Sequence, residues 1–313
     1  MKTAMLFPGQ GSQFPGMGKD LAAQFPAVAG IYEEADDILG FSISKLSFEG
    51  DADVLTETRN AQPAILLHSL AVARVMKDEA GLEPAIAAGH SLGEYSALAA
   101  SGAVDVMDAL RIVRRRGELM FEAGLRQPGT MAAIIGMETG EVRDICEEAS
   151  SGDRIVVLAN INSPGQIVVS GHIEAVEMAM KLAGDKGARK AVRLNVSGAF
   201  HSPLVAPAQD ELVEYIKSFD IRDIQTGVVC NADAKIVNSR AQIIDALSRQ
   251  LTSPVLWSDS MRLLTAEWGG EILEIGPGQV LSGLMKRIER DRKVEPVGTA
   301  DQLAQVIERE TVA

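Results

Sequence analysis

The pentapeptide Gly89-His90-Ser91-Leu92-Gly93 carries the most reactive pattern in the chain. It follows the apolar run Ala85-Ile86-Ala87-Ala88 and opens into the helix-forming Glu94-Tyr95-Ser96-Ala97-Leu98-Ala99-Ala100. A Gly-x-Ser-x-Gly between a strand and a helix is a nucleophile elbow, whose serine hydroxyl projects from the carboxyl edge of a sheet. Glycines two residues to either side remove the Cβ atoms that would collide where strand and helix converge. The backbone N–H of Leu92, at the start of the helix, then points where a carbonyl oxygen would gain negative charge.

A serine hydroxyl needs a base before it can attack. Four histidines are available: His68, His90, His172 and His201. His68 falls in a helical pattern and His172 follows a hairpin strand, which suits structural roles. His90 is the neighbour of Ser91, and its side chain is expected to leave the turn on the opposite side. His201, in Gly198-Ala199-Phe200-His201-Ser202-Pro203, sits on a loop, where catalytic groups collect at the mouth of a sheet. The order serine then histidine also suits an α/β arrangement, so His201 is the favoured base. No Asp or Glu stands in an obvious place to orient it. A backbone carbonyl could fix its tautomer instead.

Arg116 is the next signal. At about 100° per residue, the helix after Asp105 has an apolar stripe of Val106, Ala109, Leu110, Ile112, Val113, Met120 and Phe121. Arg111, Arg114, Arg115 and Glu118 fall outside the stripe, and Arg116 falls inside it. A cation among apolar neighbours needs an anionic partner, because an unpaired buried charge is costly. That partner is either an internal carboxylate or the carboxylate of a substrate, for which a guanidinium offers a two-pronged fork.

The rest of the chain must position these groups. At 313 residues it can form one large domain or two ordinary ones. Hydrophobic residues make up 46% and charged residues 23%, the balance of a globular protein with a solvated surface. No apolar run is long enough to span a bilayer. Pro8-Gly9-Gln10-Gly11 arrives too soon for a signal-peptide core, so a cytoplasmic protein is expected. Cys146 and Cys230 cannot form a disulfide framework and have no metal-ligand spacing, so no metal site is expected. A net charge of −13 argues against a nucleic-acid partner, and an acidic protein partner would need a local basic patch. Arg189, Lys190 and Arg193, with Lys286, Arg287 and Arg290, are the candidates for one.

Strands alternate with helices from Thr3–Phe7 onward, which implies a parallel sheet covered on both faces. Helices are expected at Ala27–Leu39, at Pro63–Lys77 with Pro63 in the first turn, and from Asp105 to about Ala123. Between Met131 and Leu194 the rhythm becomes β-α-β-β-α-β, the ferredoxin-like unit. The expected organisation is a large α/β unit of residues 1–127 and 197–313, interrupted by a small α+β unit of residues 128–196.

Several motifs occur in a fixed order: Phe7-Pro8-Gly9-Gln10-Gly11-Ser12-Gln13, Gly89 to Tyr95, Arg116-Gly117, and Asn162-Ser163-Pro164-Gly165-Gln166. Gly198-Ala199-Phe200-His201-Ser202, Gln250 and Glu274-Ile275-Gly276-Pro277-Gly278 complete the set. Together they resemble the malonyl-CoA:acyl-carrier-protein transacylases of fatty-acid synthesis and the related acyltransferases of polyketide synthases. The resemblance implies an α/β-hydrolase-like core and a ping-pong transfer of malonyl from its coenzyme A thioester to the phosphopantetheine of an acyl carrier protein. No permanently bound cofactor is implied, and neither nucleic acid nor membrane is a partner.

By the same resemblance Ser91 is the nucleophile and His201 its base, held by the main-chain carbonyl of Gln250. The N–H groups of Gln10 and Leu92 form the oxyanion hole, and Arg116 receives the malonyl carboxylate. Asn160 and Asn162 border the pantetheine path. Phe200 is the bulky residue associated with malonyl rather than methylmalonyl units. The alternatives are a free-standing acyltransferase or acyl hydrolase of a polyketide assembly line, and a silent scaffold that only binds carrier protein.

Overall fold

The computed structural model describes residues 2–312. Met1 and Ala313, the outermost residues assigned to the large unit, lie outside the described residues. Ten strands form two sheets among the described residues. In chain order they are β1 Lys2–Phe7, β2 Glu83–Gly89, β3 Gly129–Ile135, β4 Val156–Ser163, β5 Gln166–His172, β6 Lys190–Arg193, β7 Gly227–Val229, β8 Ile236–Val237, β9 Ile272–Ile275 and β10 Glu295–Val297. The first sheet runs β10-β9-β1-β2-β7-β8, parallel throughout except for the short β7–β8 pair. The second is antiparallel, in the order β4-β5-β3-β6.

The parallel sheet is buried on both sides, which explains why its strands read as unbroken apolar runs. Met5 and Phe7 enter the largest core, whereas Ala4 and Leu6 point into a second core with Ile86, Ala88 and Trp257. Three central strands, β9, β1 and β2, end at one edge. Phe7 is in register with Gly89, and His90 N–H donates to the Phe7 carbonyl at 3.0 Å. The chain passes from β1 to β2 on one side and returns to β9 on the other. The loops after all three strands therefore leave together, at the carboxyl edge where such sheets bind ligands.

Glu274 of β9 is buried and accepts from the N–H groups of Leu281 and Ser282, each at 2.8 Å. A carboxylate there satisfies the open start of the helix Val280–Ile288 and complements its dipole. That accounts physically for the acidic residue ahead of Gly276-Pro277-Gly278. Arg290, one of the basic-patch candidates, lies in the turn beyond the end of this helix.

The antiparallel sheet has its own core, built from Ala132, Ile134, Ile145, Ile167, Val169, Val176 and Ala179. The helices Thr139–Ala149 and Ile173–Asp185 cover it. Its edge strand β4 reaches back to the larger body. Ile161 N–H donates to Val255 O at 2.9 Å, and Val255 N–H to Ala159 O at 2.8 Å. This clasp holds the smaller sheet against the segment that follows the helix Arg240–Gln250.

The second expected helix is longer than its apolar pattern suggested. It spans Thr58–Ala80 and is buried on nearly every side, so Pro63 lies within it rather than in its first turn. Proline has no N–H to give the carbonyl of residue i−4, here Arg59. Arg114, from the neighbouring helix Val106–Arg126, fills that gap by donating to Arg59 O at 2.8 Å. The two helices are close because Gly117 faces Arg59, whose Cα would lie 2.8 Å from an added Cβ.

Arg114→Ala should therefore cost about 1–3 kcal/mol, the penalty of an unpaired acceptor with few alternatives. In a Pro63→Ala background the restored N–H can serve Arg59 O, and the cost of Arg114→Ala should shrink. Denaturant unfolding of the four proteins in this cycle measures the difference. Equal costs in both backgrounds would show that Arg114 does not support that carbonyl.

Candidate active site

Ser91 stands at the end of β2 with φ +51°, a left-handed conformation unusual for a residue with a side chain. The turn is as tight as its glycines imply. A Cβ on Gly89 would sit 1.8 Å from Gly93 O, and one on Gly93 would sit 2.1 Å from Phe7 O. Asn231, just after β7, clamps the turn from the side. Its Oδ1 accepts from Ser91 N–H at 2.7 Å and its Nδ2 donates to Gly89 O at 2.7 Å. These bonds secure the strained residue to its neighbouring strand.

His201 is buried, at φ +56°, and its Nε2 lies 2.8 Å from Ser91 Oγ. Its Nδ1 faces two carbonyls, Gln250 O at 3.0 Å and Ser253 O at 3.1 Å. Carbonyls only accept, so Nδ1 carries the proton and Nε2 presents its lone pair to the Ser91 hydroxyl. Burial, followed by the nearby Arg116 charge, pushes the His201 pKa down to about 3. The ring is thus neutral at ordinary pH, and its Nε2 lone pair faces the Ser91 hydroxyl.

Arg116 is 1% exposed. Its Nη1 donates to Gln62 Oε1 at 2.5 Å, and its Nη2 to Ser91 Oγ and Gln250 Oε1, each at 3.1 Å. The guanidinium lies 5.4 Å from the centre of the Tyr95 ring. No carboxylate forms an ion pair with it among the described residues, which decides against the internal salt bridge. Its Nε has no hydrogen-bond partner among the described residues.

A cavity of about 300 Å³ opens onto these groups. Gln10, Gln62, His90, Ser91, Leu92, Arg116, Asn160, Phe200 and His201 line it, so most of the expected site residues meet there. Neither the Gln10 nor the Leu92 N–H donates to another group among the described residues. The Gln10 side chain is anchored on Thr58 Oγ1 at 3.1 Å. His90 also contributes to the cavity wall. Its ring lines the wall, 5.4 Å from Trp257, and its Nε2 lies 2.8 Å from Asn162 Oδ1. Asn162 thus stands behind the wall, while Asn160 contributes to it.

His68 is buried elsewhere, with Nε2 3.0 Å from Gly298 O, and His172 Nδ1 accepts from Ile155 N–H at 3.0 Å. Neither belongs to the site. Three contributors had no sequence signal of their own: Gln62, Asn231 and Glu94.

The serine, base and buried cation can perform acyl transfer to and from Ser91, with selection of an acyl group that carries an anion. Comparison with known proteins agrees. The acyl transferase domain model matches residues 4–309. The chain belongs to the acyl transferase domain family. A family member from Bacillus subtilis strain 168, malonyl CoA-acyl carrier protein transacylase, is 46% identical over 307 residues, covering 98% of this chain and 96% of the relative. A solved malonyl-transacylase, in complex with its type II PKS acyl-carrier protein, superposes with a TM-score of 0.94 at 41% identity, covering 99% of this chain and 100% of that one. An acyl carrier protein S-malonyltransferase from Vibrio cholerae gives a TM-score of 0.92 at 40% identity, covering 98% and 100%. The parallel sheet and its α/β surroundings are those of the acyl transferase family.

The depressed His201 pKa has a measurable sign. The unfolded chain takes up this proton near 6.5, the native protein only near 3, so this group removes stability as pH falls through that interval. In NMR titration the His201 ring should stay neutral at pH 6 and keep its proton on Nδ1. An inflection between pH 6 and 7 would contradict the burial described here.

Proposed function

We propose that the chain transfers malonyl from malonyl-CoA to the phosphopantetheine thiol of an acyl carrier protein, through an acyl-serine. The observation that carries this reading is Arg116, a buried guanidinium with no carboxylate partner, 3.1 Å from Ser91 Oγ and on the wall of the same cavity. A neutral acyl group needs no such cation. An acyl unit ending in a carboxylate supplies its missing anion, and a charge-assisted fork fixes which end of the substrate meets the serine.

In the first half-reaction Ser91 Oγ attacks the thioester carbonyl while His201 Nε2 accepts its proton. The N–H groups of Gln10 and Leu92 receive the charge that develops on the carbonyl oxygen. Collapse breaks the C–S bond, and the departing coenzyme A thiolate takes the proton from His201. In the second, the carrier's thiol gives its proton to His201 and attacks the malonyl-serine ester. Ser91 Oγ leaves and is reprotonated by the same ring. The main-chain carbonyl of Gln250 holds the imidazole throughout. Asn160 flanks the thioester arm from the wall, and Asn162 does so through His90. Phe200, 4% exposed, limits room for a branched acyl unit. Every proton moves between substrate and chain, so the reaction draws on no resident cofactor or metal.

We read residues 1–127 and 197–313 as an α/β-hydrolase-like core, with residues 128–196 inserted as a ferredoxin-like unit. The separate hydrophobic core and the strand order β4-β5-β3-β6 support that division. The carrier is acidic in this reading, and it meets the exposed Arg189, Lys190, Arg193, Lys286, Arg287 and Arg290. Arg287 reaches Gln166 at the start of β5, and Gly136 N–H donates to Gly165 O, so the helix and the small sheet form one face. A cytoplasmic location accords with two buried free cysteines, and no helix among the described residues is long and apolar enough to cross a membrane. A silent scaffold would have no use for the aligned serine, histidine and arginine, and a hydrolase of neutral acyl groups no use for the cation.

Incubation with radiolabelled malonyl-CoA tests the reading directly. The native chain should form a covalent malonyl-enzyme and Ser91→Ala none; His201→Ala should acylate more slowly by roughly 10²–10⁴-fold. Full labelling of Ser91→Ala would remove Ser91 from the mechanism.

Arg116→Ala tests the specificity. It should lower kcat/KM for malonyl-CoA by about 30-fold to several thousand-fold, the effect of stranding a buried carboxylate. Slow transfer of acetyl, which has no carboxylate, should persist. An unchanged malonyl-to-acetyl ratio would sink the carboxylate fork.

A further inference from the structure

Glu94 lies in the first turn of the helix Gly93–Ala100 and is 1% exposed, yet its side chain neither lines the cavity nor bonds to the Ser91 hydroxyl, the His201 ring or the Arg116 guanidinium. Its Oε2 accepts two hydrogen bonds, from Gln250 Nε2 at 2.8 Å and from Asn231 N–H at 3.1 Å. Both donors belong to residues that hold the site. Gln250 supplies the carbonyl behind His201 and an Oε1 that accepts from Arg116, and Asn231 clamps the Ser91 turn.

The Gln250 amide could lie in its pocket either way round, since its two ends have nearly the same shape. Its surroundings allow one. Nε2 faces two acceptors, Glu94 Oε2 and Ser91 O, the latter at 2.9 Å. Oε1 faces a donor, the Arg116 guanidinium. The flipped amide would set oxygen against a carboxyl and a carbonyl, and an NH₂ against a guanidinium. Buried clashes of like groups are costly. The Ser91 carbonyl disfavours the flip on its own, but Glu94 doubles the constraint and fixes the depth of the amide.

We propose that Glu94 is a positioning residue which, through the Gln250 amide, aims the Arg116 guanidinium at the acyl group on Ser91 and so sets the preference for a carboxylated acyl unit. This rests on the reading of Arg116 as the carboxylate's partner. What the amide needs from Glu94 is an acceptor oxygen at that point, and a formal charge is dispensable. Burial pushes the Glu94 carboxyl up to about 7, so it is not a steady anion at neutral pH. A single oxygen takes both hydrogen bonds, which a glutamine carbonyl reproduces.

The test compares Glu94→Gln, Glu94→Ala, Gln250→Met and Arg116→Ala by kcat/KM for malonyl-CoA and acetyl-CoA, with a thermal melt of each. Glu94→Ala should lower the malonyl-to-acetyl ratio by roughly ten- to a hundred-fold, the effect of leaving a buried amide N–H without its acceptor. Glu94→Gln should keep the ratio within about threefold of the native chain, on the same arithmetic. Gln250→Met retains the backbone carbonyl behind His201 but has no amide, so it should lower the ratio as Glu94→Ala does. It serves as the decisive variant if Glu94→Ala does not fold. If Arg116→Ala moves the ratio while Gln250→Met and any folded Glu94→Ala do not, the relay is overturned and the carboxylate reading stands. Loss of the ratio in Glu94→Gln equal to that in Glu94→Ala overturns the acceptor role. If Arg116→Ala leaves the ratio unchanged, the carboxylate reading itself falls, and the proposal with it.

Discussion

A full positive charge on a residue 1% exposed, met only by neutral partners, is the constraint around which this protein is built. Taking a guanidinium out of water costs several kcal/mol unless its donors are satisfied. Here an amide oxygen on each flank, a serine hydroxyl and an aromatic ring share the load. Each of those partners must itself be held, and much of the buried polar structure does that. Gln62 is fixed between Arg116 and the Met120 sulfur, and Gln250 between Arg116, Ser91 O and Glu94. The internal arrangement stops short of neutralising the cation. An incoming carboxylate can therefore gain by supplying what the fold withholds.

Rigidity at the reacting atoms comes from the sheet. Ser91 and His201 both have positive φ, and such conformations persist only where the surroundings over-determine them. For Ser91 the determinants are the β1–β2 register, the Asn231 clamp and two glycines with backbone packed where a Cβ would go. For His201 they are two carbonyls at the end of the helix Arg240–Gln250 and just beyond it. The β4 clasp on Val255 ties that same segment to the smaller sheet. Motion of the smaller sheet would thus bear on the carbonyls that orient the base.

The elbow, its serine and the buried arginine were legible in the chain because each is a local signal. Gly-x-Ser-x-Gly states a turn too tight for side chains, and a cation inside an apolar stripe at helical spacing states that it is buried. The strands and helices could also be followed, since periodicity is a short-range property. The internal Pro63 misled because its defect is repaired by Arg114, 51 positions along the chain by residue number, a contact with no local trace. The role of His90 was only half legible for a related reason. Its outward course from the turn was clear, but whether the cavity would wrap around it depended on β4 and Asn162 of the smaller sheet.

By itself, then, the sequence determined which residues could react and which secondary elements would carry them, because reactivity, turn geometry and amphipathic spacing are written within a few residues. Only the tertiary structure decided that Arg116 lacks a carboxylate partner among the described residues, that Ser253 O joins Gln250 O behind His201, and that Glu94, Asn231 and Gln62 enter the hydrogen-bond network around the site. Those facts rest on groups brought together from the turn after β2, the loops that carry Asn231 and His201, and four helices. Hydrogen-bond complementarity between such distant segments is fixed by how the sheet and helices pack, and no spacing along the chain encodes it.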